Sequence, residues 1–218
     1  MAPIPIIPFG KRHIGPGHPT VVIAEIGINH EGSIETCAKM IEEAARSGAD
    51  AIKLQTVNPD ENYAPGTESH KLFTSAWLTI EQTSKMFQHA RKHGVEPFTT
   101  AGDFGTLKLI ESLNPAAHKI SSGLLTNLPL IRDAAGTRRT LLMSTGMNDL
   151  SAIDTAVQMA RSQKNTSIGL FQCTSLYPAP PESLNLRVIN TLTERYLVPC
   201  GFSDHSKGID AVVHAVAV

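Results

Sequence analysis

The chain has 218 residues, 41% hydrophobic and 18% charged, with 19 basic against 20 acidic side chains and a formal charge of -1. That length suits one core of ordinary size, and the near balance of charge removes the electrostatic case for nucleic acid or an anionic membrane as partner. No run approaches the roughly 18 uncharged apolar residues of a membrane span.

Cys37, Cys173 and Cys200 are too few and too dispersed for a disulfide framework, and fit a reducing cytoplasm. Residues 1–20 place their apolar part ahead of their charges and break it with proline, unlike a secretory leader. They are expected to form an irregular arm lying against a single domain over residues 21–218.

From residue 21 the chain settles into a strand-then-helix rhythm. Residues 21–27 are a nearly continuous apolar run interrupted by Glu25, as suits a parallel strand buried on both faces. Ser33 is placed to cap a helix with Ile34, Cys37, Ala38, Ile41, Ala44 and Ala45 on one face. Gly48 ends it, and residues 51–55 supply a second strand. Residues 56–78 form a long polar loop rich in glycine and proline, expected either to cover a site or to pack at a subunit contact, with Trp77 anchoring its return.

Thr79 caps a helix running to His93, and residues 96–101 make the third strand. A short helix over 107–113 leads to a fourth strand, 116–121. A helix over 128–135 precedes the fifth strand, 139–145. The next helix occupies 152–161, capped by Ser151 or beginning slightly earlier, and is followed by a sixth strand, 167–173. A helix over 186–196, a seventh strand over 198–203 and a helix over 209–218 complete the order.

Seven βα units in unbroken succession predict an α/β fold of the TIM (β/α)8 barrel type, with the eighth unit missing from the sequence. A doubly wound α/β sheet is the fallback. In a barrel, chemistry gathers at the C-terminal strand ends, and here those ends read EIGINH, IKLQT, PFTT, HKISSG, STG, CTSLYP and FSDHS. Each apolar run delivers hydroxyls, an amide or a charge to the same mouth.

Lys53 and Lys119 lie within apolar strands, where an unpaired ammonium would be costly. Each is expected to reach an anion, to pair with a carboxylate such as Glu25 or to form a Schiff base, unless it points to water from the strand rim. With Thr100, Ser122 and Ser203, two lysines suit a ligand carrying phosphate and carboxylate. Glu25 suits a sugar hydroxyl, proton transfer or a salt bridge. His205 is the candidate metal ligand, since imidazole suits Mn, Fe, Co or Zn. Asp204 is placed to orient it, and no H-x-x-x-H or paired-cysteine motif is read as completing the shell. His214 is expected as an ordinary helix residue, and Cys173 as strand core with nothing fixing a histidine beside it. Asn29 and His30 fit either a ligand contact or a plain turn, and Tyr177 either a pocket wall or loop packing.

The ordered segments AEIGINHEGSIETCAKMIEEAARSGADAIKLQT, HKISSGLLTNLPLI, LLMSTGM, FQCTSLYPAPPESLNL and GFSDHSKGID resemble the N-acetylneuraminate (sialic acid) synthase family. That family also includes synthases of related nonulosonic acids and proteins of spore-coat sugar pathways. The resemblance implies a cytoplasmic transferase on a TIM barrel, dependent on a divalent metal, Mn or Mg. It would condense phosphoenolpyruvate with N-acetylmannosamine or a related amino-sugar aldehyde in carbohydrate biosynthesis, as a homodimer.

By motif, Lys53 resembles a phosphoenolpyruvate-binding lysine, and Thr100, Lys119, Ser122 and Ser203 match its phosphate or carboxylate pocket. His205 matches one of two metal histidines, while Glu25 and Tyr177 match positions near the sugar acceptor. Leu124 stands where the family usually has glutamate, which puts the acceptor at issue. The second metal histidine and the family's C-terminal antifreeze-like domain have no counterpart in the sequence. The alternatives are a different phosphoenolpyruvate–sugar synthase, a Schiff-base aldolase or a non-catalytic sugar- or phosphoenolpyruvate-binding barrel.

Overall fold

The computed structural model describes residues 3–218. The arm read as irregular is in fact ordered. Ile7–Phe9 (β1) and Arg12–Ile14 (β2) pair as an antiparallel hairpin, Ile7 opposite Ile14 and Phe9 opposite Arg12. Alternation across the strand buries Ile7 and Phe9 completely and leaves Pro8 facing outward, while the Thr140 hydroxyl donates to the Pro8 carbonyl. Proline and glycine masked this in the sequence, because the strands are only three residues long.

Beyond the arm the chain divides into two compact units, Val21–His118 and Lys119–Val218, the latter grouping with the arm. Strand order in the seven-stranded sheet follows the chain, without the reversal of a doubly wound sheet.

In the first unit, Ile23–Gly27 (β3) is followed by helix Ile34–Arg46 (α1) and then by Ala51–Thr56 (β4), which pairs in parallel with β3. The Ser33 hydroxyl accepts from the Thr36 amide to cap α1, and Cys37 and Ile41 occupy its buried face. Residues 56–78, expected as a loop, hold two helices, Pro59–Asn62 (α2) and Glu68–Ala76 (α3), capped by Asn58 and Thr67. Trp77 is 46% exposed and does not anchor the return.

Thr79 and Gln82 form a reciprocal capping box at the start of Ile80–Lys92 (α4), which leads to Glu96–Ala101 (β5), parallel to β4. Thr83, Met86, Phe87 and Ala90 form the buried stripe of α4, and the last three belong to a core cluster with Ile26, Ile41, Ile52, Leu54 and Val95. Helix Phe104–Glu111 (α5) starts earlier than its apolar pattern implied, because Asp103 caps it.

The strand His118–Ile120 (β6) spans the division and runs into a 3-10 turn at Ser122–Leu124. In the second unit follow Leu128–Gly136 (α6), Leu141–Ser144 (β7), Leu150–Ser162 (α7), Ile168–Cys173 (β8), Val188–Tyr196 (α8), Cys200–Ser203 (β9) and Asp210–Ala217 (α9). β7, β8 and β9 pair in parallel, Leu141 with Ile168 and Cys173 with Ser203. Asp149, not Ser151, caps α7, one of the two starts the sequence left open. All three cysteines are free thiols, and among the described residues no helix is long and apolar enough to cross a membrane.

Candidate functional site

In the first unit, Lys53 and Glu25 face each other across β3 and β4. The Lys53 ammonium lies 2.9 Å from Glu25 Oε2 and donates to Thr100 Oγ1 at 3.2 Å. Lys53 is aligned with Phe98, so reaching Thr100 means that its side chain leans two residues toward the C-terminal end of β5. The residue is only 8% exposed, which removes the reading of a lysine pointing to water. Glu25, by contrast, keeps half of its side chain exposed. Its carboxylate is thus both the lysine's counter-ion and an acceptor open to a ligand.

Two amides belong to the same neighbourhood. A Cβ placed on Gly27 would stand 3.2 Å from Glu25 Oε1 and 3.9 Å from both Asn29 Nδ2 and Gln55 Oε1. Gln55 was legible only as one amide among the strand-end polar groups. Asn29 donates to the Ile26 carbonyl, and His30, fully buried, accepts the Gly32 amide on Nδ1, so the first loop is a self-satisfied turn. Burial holds the His30 imidazole below its usual value.

The segment after β4 closes onto the end of β5. Asn62, at the end of α2, donates to Asp103 and to the Asn58 carbonyl. Its Oδ1 stands 2.2 Å from where a Cβ on Gly102 would lie. Only glycine admits that approach, one residue beyond the strand that carries Thr100.

In the second unit, Lys119 is 7% exposed. It donates to Ser144 Oγ at 2.6 Å and to the Ile120 carbonyl at 3.0 Å, with its ammonium 5.6 Å from the Phe171 ring centre. Ser122 is buried beside Gly146, where a Cβ would meet Ser175 Oγ at 2.6 Å and both the Cys173 carbonyl and Ser122 Oγ at 2.9 Å. Asn148 donates to the Ser122 and Gly146 carbonyls, fixing the two loops against each other. Ser203 ends β9 opposite Cys173. Leu124 is half-buried in the turn after Ser122.

His205 follows β9. Its Nδ1 donates to the Thr174 carbonyl at 2.7 Å, which leaves Nε2 to accept the Tyr177 hydroxyl at 2.9 Å, and the two rings stack with centres 4.0 Å apart. Tyr177 is 77% exposed, so it packs on His205 rather than walling a closed pocket. Cys173 Sγ lies 3.8 Å from His205 Nδ1. The expectation that no histidine stands beside Cys173 is therefore corrected: parallel pairing of β8 and β9 brings together residues 32 apart. Contact with Cys173 raises the His205 pKa against the opposing effect of burial. Burial acts to push the Cys173 thiol up, but His205 and the Ser122 hydroxyl outweigh it and hold the thiol below its usual value. Asp204 accepts from the Ser206 amide in a local turn, and His214 bonds within its own helix.

Among the described residues, no set of three His, Cys, Asp or Glu donors forms around His205. His205 thus offers one imidazole, with the Tyr177 hydroxyl on its Nε2. The one set of three that does form, Glu42, His89 and His93, lies elsewhere. Its His89–His93 pair is an H-x-x-x-H on α4 that was legible from spacing alone.

A cleft of about 410 Å³ between α7 and α8 has little claim to be the site. Asp154, on its wall, is taken up by Arg195 at 2.6 and 3.0 Å and by the Tyr196 hydroxyl at 2.7 Å.

A model of the NeuB family matches residues 40–218. The chain is 37% identical over 212 residues to the uncharacterized protein MJ1065 of Methanocaldococcus jannaschii, covering 97% of this chain and 63% of that protein. It is 32% identical over 215 residues to N,N'-diacetyllegionaminic acid synthase of Campylobacter jejuni, covering 91% and 64%. The chain thus spans a little under two thirds of both relatives. Among solved structures, the N-acetylneuraminic acid synthetase of Leptospira borgpetersenii, crystallised with citrate, superposes with a TM-score of 0.94 at 33% identity, over 98% of this chain and 74% of that one.

Proposed function

Because the chain belongs to the NeuB family, we propose that it condenses phosphoenolpyruvate with an amino-sugar aldehyde, N-acetylmannosamine or a relative, and releases phosphate. The observation that carries the reading is a buried lysine in each unit, Lys53 and Lys119, leaning toward the C-terminal strand ends with hydroxyl partners that an anion can replace. The scaffold belonging to this proposal is a (β/α)8-type catalytic domain over residues 21–218, acting in the cytoplasm as a homodimer.

Lys53 with Thr100 in the first unit, and Lys119 with Ser122 and Ser203 in the second, would each suit an anionic group such as the carboxylate or phosphate of phosphoenolpyruvate. Glu25 and Tyr177 would contact the acceptor sugar. C3 of phosphoenolpyruvate attacks the aldehyde carbon, water adds at C2, and the tetrahedral intermediate expels phosphate. Fixed ammonium groups lower the barrier by holding the anion in place and by meeting its charge in a site shielded from water. A divalent ion, Mn or Mg, would polarise the aldehyde. His205 is the described candidate to hold it, once Tyr177 releases Nε2.

Leu124 favours a second reading in the choice of acceptor. Apolar where the family usually has glutamate, it suits a sugar lacking a hydroxyl at that point, or a barrel that binds without turnover.

The test is phosphate release from phosphoenolpyruvate, with Mn2+ or Mg2+, against N-acetylmannosamine and related amino-sugar aldehydes. Release that requires one sugar supports the reading and identifies the acceptor. Phosphoenolpyruvate binding without release for any sugar leaves the binding barrel. A lysine adduct trapped by borohydride replaces both with a Schiff-base aldolase.

A further inference from the structure

Helices α1 and α4 carry a cluster that the condensation does not use. His89 and His93 lie four residues apart on α4 and its C-cap, so they share a face, and Glu42 of α1 stands opposite. His89 Nε2 is 3.0 Å from Glu42 Oε1, the two imidazole rings are 4.6 Å apart, and one ligand atom from each residue falls within 4.8 Å of the others. The two arginines nearby are occupied elsewhere: Arg46 pairs with Glu43, while Arg91 lies over the Phe87 ring and donates to the Leu113 and Asn114 carbonyls.

We propose that Glu42, His89 and His93 form a binding site for a zinc-class divalent transition metal that bolts α1 to α4. Two imidazoles and one carboxylate suit Zn2+, Co2+, Ni2+ or Cu2+ and are poor company for Mg2+ or Ca2+, which prefer all-oxygen shells. Metal–ligand bonds of about 2.0–2.2 Å bring tetrahedral donors to about 3.3 Å from one another. Glu42 and His89 already stand that close. His93, exposed at the helix end, closes the rest by side-chain rotation. Water completes the coordination on the open side.

The cluster is separate from the lysine site of the same unit. His93 comes just before the start of β5, at Glu96, whereas Thr100 lies at the far end of that strand. The bound ion is therefore structural. It ties the helix that follows β3 to the helix that precedes β5, across the core that holds Phe87.

Zinc titration by calorimetry, paired with thermal melts of the full chain with and without Zn2+, tests this in the wild type, His93→Ala and Glu42→Gln. Both substitutions sit at exposed positions. The wild type is expected to bind one more equivalent of Zn2+ than either variant, or to bind it about tenfold or more tightly, since even outer partners of a ligand are worth about that much. Zn2+ should raise the wild-type melting temperature more than that of either variant, with the metal-free melts coinciding. Co2+ should give the visible absorption of a nitrogen- and oxygen-ligated site, lost in both variants. Equal zinc stoichiometry, affinity and thermal shift in all three proteins would overturn the proposal.

Discussion

Lys53→Met separates a structural ion pair from a substrate-binding lysine. Lys53 is 8% exposed while the Glu25 side chain is half exposed, so the two partners differ in how dearly they are held from water. Removing the ammonium leaves Glu25 with solvent to hydrate it, and removes a desolvated charge that opposes folding. The net change in stability is expected within about 1 kcal/mol. Glu25→Gln instead leaves the buried ammonium without a counter-ion, with only neutral oxygens to accept from it, and is expected to cost about 1–3 kcal/mol. That is below the full penalty for breaking a buried pair, because water already reaches Glu25. A charge-assisted bond to an anionic ligand is worth about 1.5–3 kcal/mol, so phosphoenolpyruvate affinity of Lys53→Met falls about 10–150-fold. Urea unfolding gives the first pair of numbers and calorimetric titration with phosphoenolpyruvate gives the third. Loss of more than about 3 kcal/mol in Lys53→Met, with affinity unchanged, would refute the reasoning and make Lys53 a fold element.

Phe87→Ala removes a fully buried ring from the core of the first unit and should cost about 3–5 kcal/mol by urea midpoint. Gly146→Ala drives a methyl against Ser175 Oγ, Ser122 Oγ and the immobile Cys173 carbonyl; it should cost about 1–3 kcal/mol and weaken phosphoenolpyruvate binding by displacing Ser122. His30 has its pKa lowered below the ordinary 6.5 by burial, so the unfolded chain takes up its proton first as pH falls. Its contribution to stability is intact above pH 6.5 and declines below it, by at most about 1.4 kcal/mol per pH unit. Unfolding midpoints at neutral and mildly acidic pH should fall less steeply in His30→Gln than in the wild type.

The parts of the fold that a sequence pattern carries are those with a local cause. Ser33 and Thr79 cap their helices as their spacing implies, and the seven parallel strands stand where apolar runs stop at polar residues. The arm and the segment after β4 escaped because their elements are short. Even so, Asn58 before Pro59 and Thr67 before Glu68 are ordinary cap signals. In the site, Lys53 and Lys119 were legible because a lysine inside an apolar strand demands a partner. The Glu25 partner was named beforehand, but Ser144 for Lys119 was not, since it depends on which side chain the neighbouring strand presents. Cys173 beside His205 follows from strand register, and Glu42 beside His89 from helix packing across 47 residues. Neither leaves a periodic trace. The H-x-x-x-H on α4 did leave one.

The N-terminal hairpin has a consequence for the timing of synthesis. Pro8 accepts from Thr140, 132 residues later. At about 5–20 residues per second, roughly 7–26 s separate the emergence of the two from the ribosome. A two-stranded hairpin is marginal alone, so for that interval Ile7 and Phe9 have no lasting burial. Val21–His118 is complete before the partner of Pro8 is made. The hairpin thus waits for the second unit to be synthesised, with an apolar strand edge exposed to other nascent chains in the meantime.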